Sequence, residues 1–190
     1  MTRYVALLRG IAPTNPNMRN EKLRSVFEKL GFENVKTVIS SGNVIFESPS
    51  RNIRKLEERI EKALPEELGF KSTTIIRSQE QIQKLADKDP FKGRQHSQTS
   101  SLNVTFLKKK RRTDIKFPYE IDNRDYELLG MYDGAICSVI DLTSAKTPDL
   151  MVWLEKKLGK EITTRTWKTV ERILKAMREP TQYKDTPVVE

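Results

Sequence analysis

A run of five apolar or aromatic residues, Tyr4-Val5-Ala6-Leu7-Leu8, ends abruptly in Arg9 and Gly10. Such a run has no polar alternation, so it suits a strand buried on both faces; a half-exposed strand would alternate. Both faces of its sheet must therefore be covered, and Arg9 is delivered to the sheet's edge. The 190 residues suffice for one sizeable domain or two small ones sharing a core. Apolar residues make up only 36% and charged residues 32%, yet the apolar ones fall in periodic blocks, so disorder is expected only at the ends.

After Gly10 the stretch to Met18 carries two prolines and two asparagines and reads as a loop. Leu23, Val26, Phe27 and Leu30 then recur at the spacing of one helical face from Asn20, with Gly31 as the stop. A strand over Val35–Ile39, a turn at Ser40-Ser41-Gly42 and a strand over Asn43–Glu47 form a hairpin. A helix over Asn52–Leu64 and a strand over Phe70–Arg77 follow. This order is strand, helix, strand, strand, helix, strand, which is the ferredoxin-like plan. The expected fold class is α+β, a ferredoxin-like βαββαβ N-terminal subdomain (1–78) packed against a second α+β subdomain (79–178). In the ferredoxin-like plan helices cover one face of the sheet, so the second part is expected to cover the other. Residues 179–190 contain two prolines and no periodicity, which suggests an extended or disordered tail.

The second part opens with a helix over Glu80–Lys88. A polar loop over Gly93–Ser101, a strand over Leu102–Leu107 and the basic run Lys108-Lys109-Lys110-Arg111-Arg112 come next. Tyr126–Met131 and Ala135–Ile140 flank Tyr132-Asp133-Gly134 as a hairpin, since Asp-Gly supplies the positive φ of such turns. Two helices complete the pattern, one from Pro148 to Gly159 and one from Thr166 to Met177. The two parts share strand and helix content, but no residue-level repeat is visible.

Several of these stretches resemble one family. They are Tyr4-Val5-Ala6-Leu7-Leu8-Arg9-Gly10-Ile11, Leu30-Gly31-Phe32-Glu33-Asn34-Val35, Ser41-Gly42-Asn43-Val44-Ile45-Phe46, Asn103-Val104-Thr105-Phe106-Leu107 and Thr163-Thr164-Arg165-Thr166-Trp167-Lys168-Thr169-Val170. Together, in this order, they resemble the domain of unknown function 1697 family. The resemblance implies an α+β fold of ferredoxin-like subdomains and no established activity. The family usually carries Asn-Val-Gly-Gly after Arg-Gly-Ile, where this chain has Ala12-Pro13-Thr14-Asn15-Pro16. It usually has Asn at the position of Thr166 and often at that of Lys168.

In the expected fold, Arg9, Gly10 and the loop bearing Asn15 and Asn17 lie at one edge of the sheet together with Ser41, Gly42 and Asn43. A guanidinium, free turn amides and a helix N-terminus are parts of an anion site. Thr164 and Arg165, read as the start of the last helix, would add a second helix N-terminus. The chain therefore reads as a binder of a small phosphate- or carboxylate-bearing ligand at these nine residues. In the competing view Arg9 merely pairs with a carboxylate, Ser41-Gly42 is only a turn, and Thr164 or Thr166 is a helix cap.

A net charge of +9 brings in a second reading, nonspecific RNA or DNA binding through Lys108, Lys109, Lys110, Arg111 and Arg112. Base stacking on the sheet is disfavoured, because its central strands offer only Tyr4 and Phe46. A protein-partner-binding module is the third. No catalytic constellation is recognisable, since His96 stands alone in a polar loop. No cofactor and no metal are predicted: Cys137 is solitary, and the acid pairs Asp87 with Asp89 and Asp122 with Asp125 are common surface spacings. With no leader or membrane-length apolar run, a cytoplasmic location without a membrane partner is expected.

Overall fold

The apolar run forms β1 (Thr2–Leu8), and Tyr4 to Leu8 are all buried. The computed structural model describes residues 1–109, 113–121 and 125–180. From β1 the chain passes through a short 3-10 turn at Pro16–Met18 into α1 (Asn20–Lys29), which buries Leu23, Val26 and Phe27. β2 (Glu33–Thr37) and β3 (Asn43–Ser48) make the hairpin. Next comes α2 (Ile53–Leu68), capped by the Asn52 side chain, which accepts from the Lys55 N–H at 3.0 Å, and closed by left-handed Gly69. It outlasts the expected end at Leu64: Pro65 sits inside it, and one more turn runs to the Gly69 cap. β4 (Thr74–Ser78) starts four residues later than expected. Leu8 lies opposite Thr74, one further bond joins the Arg9 N–H to Thr73 O, and the chain then turns away at Gly10, so the strand cannot reach back to Phe70.

The first sheet has the antiparallel order β2-β3-β1-β4, as the ferredoxin-like plan requires. β4 is an edge strand, but its Thr74 and Ile76 N–H groups donate to the Glu61 and Glu57 carboxylates of α2 at 2.8 and 3.0 Å. These bonds occupy an edge that could otherwise recruit a foreign strand.

The second part contains α3 (Gln79–Asp87), β5 (Ser100–Leu107), β6 (Tyr119–Ile121), β7 (Tyr126–Tyr132), β8 (Ala135–Asp141), α4 (Thr147–Leu158), β9 (Ile162–Thr166) and α5 (Trp167–Arg178). Its sheet is also antiparallel, in the order β6-β7-β8-β5-β9. Two strands have no forerunner in the sequence reading. β6 spans only three residues, and β9 carries one apolar residue, so pairing with β5 rather than apolar alternation makes it a strand.

Three apolar clusters hold these layers. Tyr4, Ala6, Leu8 and Phe46 face Leu23, Phe27, Leu56 and Ile60 of α1 and α2. The opposite face of the first sheet, through Val5, Leu7, Ile45 and Ile75, shares a cluster with Leu102, Val104 and Phe106 of β5 and with α3 and α5. Outside the second sheet, Leu128, Ile136 and Ile140 meet Leu150 and Leu154 of α4.

The two sheets follow one path. β1-β2-β3-α2-β4-α3 and β5-β7-β8-α4-β9-α5 give the matching orders β2-β3-β1-β4 and β7-β8-β5-β9. The match extends to single hydrogen bonds. Leu8 N–H donates to Gly42 O and Leu107 N–H to Gly134 O, both at 2.8 Å. Arg9 N–H donates to Thr73 O at 2.9 Å, and Lys108 N–H to Glu161 O at 3.0 Å. Leu7 stands opposite Asn43 as Phe106 stands opposite Ala135.

Candidate functional site

Arg9, at the end of β1, turns its guanidinium across to the second sheet. It donates to the Glu155 carboxylate and the Lys160 carbonyl, and to the Ile162 carbonyl at 3.2 Å. Its charge is therefore met within the chain. Gly10 and Gly42 both adopt φ near 75°. A Cβ on Gly42 would come 2.5 Å from Ile11 Cγ1, so the loop after Gly10 rests directly on the Ser41-Gly42 turn. Further along that loop, the Asn15 side chain accepts from the Asn17 N–H at 2.9 Å, and the Asn17 side chain accepts from Lys22 at 3.1 Å.

Arg165 and Thr164 correct the sequence reading. They are strand residues in β9, and α5 begins only at Trp167 with Thr166 as its cap. The Thr166 hydroxyl accepts from the Thr169 N–H at 3.3 Å. Thr164 points away from the edge, its hydroxyl bonding Thr105 at 2.7 Å. Arg165 does reach the edge, and it is 9% exposed. Its Nε donates to Asn43 Oδ1 at 2.6 Å, while its terminal nitrogens donate to Leu8 O (2.8 Å), Ser41 O (3.0 Å), Thr163 Oγ1 (2.8 Å) and Thr164 O (3.0 Å). A guanidinium has five N–H donors, so none is left for a ligand. Burial pulls this group down to about 10, which still leaves it charged at neutral pH.

The edge thus gathers Arg9, Gly10, Ser41, Gly42, Asn43 and Arg165, while Asn15, Asn17 and Thr164 spend their side chains elsewhere. The hollow beside the Lys160 and Ile162 carbonyls that accept from Arg9 measures about 40 Å³, and none of these six residues lines it. Of the basic run, Lys108 pairs with Glu61 and Lys109 with Glu161 at 3.0 Å. Lys110, Arg111 and Arg112 lie outside the described residues, as does Asp122. Tyr4 and Phe46 are 2% and 0% exposed. The sheet face opposite α1 and α2, which an RNA-recognition sheet leaves open, here packs against β5.

A larger opening lies where the sequence reading placed no ligand. It is a groove of about 650 Å³ between α3 and the β7–β8 hairpin, within the range of roughly 300–1,000 Å³ typical of small-molecule pockets. Its floor is apolar, made of Ile82, Leu85, Phe106 and Ala135, all buried. Tyr132 forms a wall, folded back over Gly130, where a Cβ would meet its hydroxyl at 2.9 Å. Lys84 of α3 and Lys88, the residue that caps its C-terminus one turn later, stand on the exposed rim with Asp87 and Asp133. At the inner end lies Arg77, which occupies the position in its half that Arg165 holds in the other. It donates to Leu107 O at 2.6 Å and Gly134 O at 3.3 Å, and lies 5.8 Å from the Phe106 ring centre. Burial pushes the Arg77 guanidinium below its usual range, with Glu57 and Asp133 pulling the other way. The signal for the groove in the sequence was the Lys84–Lys88 spacing beside Ile82 and Leu85; only the fold brings Phe106 and Tyr132 to it.

A model of the family described as a protein of unknown function (DUF1697) matches residues 1–136. The chain belongs to that family. The matched range includes four of the five resemblance stretches and the β7–β8 turn. No curated protein matches the chain. Among solved structures it is similar to the conserved bacterial protein SP0830 from Streptococcus pneumoniae, at 22% identity and a TM-score of 0.72, covering 94% of this chain and 99% of that one. At that identity the likeness is one of fold, and at 94% coverage it spans both sheets of this chain. No described helix is long and apolar enough to cross a membrane. Nor do the described residues gather three or more His, Cys, Asp or Glu side chains fit to hold a metal ion. Cys137 is buried, and desolvation pushes its thiol up to about 12, which makes it unreactive.

Proposed function

We propose that this DUF1697 protein binds a small molecule bearing a carboxylate or phosphate, and that the ligand lies in the groove between α3 and the β7–β8 hairpin. One observation carries the reading. The cations of the Arg9 edge are consumed by the chain's own acceptors, whereas the groove combines open volume with Lys84 and Lys88 on its rim. Lys84 faces Glu80 across an exposed, solvent-screened pair that is easily exchanged for a ligand. The Lys88 ammonium makes no ion pair among the described residues.

The test is a thermal-shift screen of carboxylates, phosphate esters and nucleotides against the wild type, Lys84→Glu/Lys88→Glu and Arg9→Ala. Ligands that bind the native state raise its melting temperature. The expected result is a shift in the wild type that persists in Arg9→Ala and disappears in the double variant. A shift lost in Arg9→Ala alone would return the ligand to the β1 edge, and no shift from any anion would end the binding reading.

A further inference from the structure

Resting on the reading of the groove as a ligand site, we propose that its ligand is an amphipathic monocarboxylate, with an apolar ring or chain on the floor and its carboxylate between Lys84 and Lys88. The floor decides against sugar phosphates and nucleotides. Ile82, Leu85, Phe106 and Ala135 offer no partner for hydroxyl groups, and burying hydroxyls without partners is costly. Arg77, the one cation inside, already donates to Ile76 O, Leu107 O and Gly134 O. The rim decides against a dianion. Asp87 and Asp133 stand there with the two lysines, so a single negative charge finds its partners while a doubly charged phosphate also meets two carboxylates. Tyr132 adds a flat aromatic wall, which suits an aryl or alkyl body equally.

The probe is 1-anilinonaphthalene-8-sulfonate, an aryl anion, titrated by fluorescence into the full folded chain and then displaced by competitors. Decanoate and 2-naphthoate are expected to displace it about two- to fivefold better than decanol and 2-naphthylmethanol, as an ammonium–carboxylate contact on a protein surface allows. Glucose 6-phosphate and inorganic phosphate should not displace it. Lys84→Glu/Lys88→Glu should remove that advantage, weakening both acids at least about twofold and leaving the alcohols unchanged. Gly130→Ala pushes Tyr132 off its seat without altering charge, and should weaken acids and alcohols together, with circular dichroism confirming an intact fold.

Acids and alcohols competing equally, or displacement that neither variant alters, would overturn the proposal. Displacement by phosphate esters but not by the acids would also overturn it, while leaving an anion site in the groove. Absence of both probe binding and any anion-induced thermal shift would remove the groove reading and this one together.

Discussion

The first and second sheets carry the same connectivity, and the places where they part company are more informative than the places where they agree. Agreement is structural. Each sheet sends an arginine from the end of its last strand, Arg77 or Arg165, into the other sheet's hairpin. Each also sends a cation from the end of its first strand to a glutamate on the other side, Arg9 to Glu155 and Lys108 to Glu61. The differences fall in two places. The first sheet follows β1 with α1, whereas the second follows β5 with β6 and has no described helix there. The β2–β3 turn reaches from Val38 to Gly42 and presents Asn43 to Arg165, whereas the β7–β8 turn is Asp133-Gly134 alone and presents Ala135. Asn43 fills the space beside its arginine with a hydrogen-bonding amide. Ala135 leaves that space open, and the groove occupies it. A shared plan fixes the frame, and the broken symmetry leaves room for a ligand.

If the crossed arginines hold the two sheets together, Arg165→Ala should be the most damaging change, lowering stability by about 3 kcal/mol or more, because it strands the Leu8 and Ser41 carbonyls and Asn43 without a donor. Arg77→Ala should cost less, about 2 kcal/mol, since it makes fewer bonds. Urea unfolding followed by tryptophan fluorescence and by circular dichroism would check both. Separate transitions for the two probes, or a loss below about 1 kcal/mol for Arg165→Ala, would break the comparison.

Two turn glycines at the first sheet's edge sharpen it at smaller scale. Gly10 and Gly42 hold φ of 75° and 76°, but a Cβ on Gly42 would meet Ile11 Cγ1 at 2.5 Å whereas one on Gly10 would meet nothing within 4 Å. Gly42→Ala should therefore cost about 2 kcal/mol and Gly10→Ala about 1 kcal/mol. Equal melting temperatures for the two variants would mean that Ile11 yields freely.

The smallest effect concerns the acid behind Arg77. Glu57 is 4% exposed, and burial raises its carboxyl above the usual range despite the Ile76 N–H, Lys108 and Arg77. A carboxyl raised in the folded state holds its proton more tightly there than in the unfolded chain. The penalty is absent below the unfolded value of about 4.3 and grows as pH rises through the folded one. Glu57→Gln keeps an acceptor for Ile76 and removes the charge, so its stability relative to wild type should improve from pH 4 to pH 7.5. A decline over that window would mean that Lys108 and Arg77 outweigh burial.

Much of the frame was legible from periodicity. The β1 run, the faces of α1, α2 and α5 and the Asp133-Gly134 turn carry strong local signals, and each element lies within a few residues of its expected place. β9 was not legible, because Thr163, Thr164 and Thr166 surround a buried arginine instead of alternating with apolar residues. That hid the role of Arg165, which depends on partners more than 120 residues away. Arg9, Ser41, Gly42 and Asn43 can be placed at one edge from the strand order alone, yet whether Arg9 is free or spent depends on Glu155 and on the Lys160 and Ile162 carbonyls, far along the chain. The internal repeat was invisible because the equivalent positions hold different residues, Leu7 with Phe106 and Asn43 with Ala135. It survives in hydrogen bonds and strand order.

Arg165 also has a bearing on the order in which the chain can be finished. Leu8 is synthesised before Arg165, and the side chain that satisfies its carbonyl follows 157 residues later. Domains generally consolidate as they emerge, N-terminal part first. Here the β1–β3 corner stays short of its last donor until β9 is translated, so the first sheet gains its final hydrogen bonds only together with the last strand of the second.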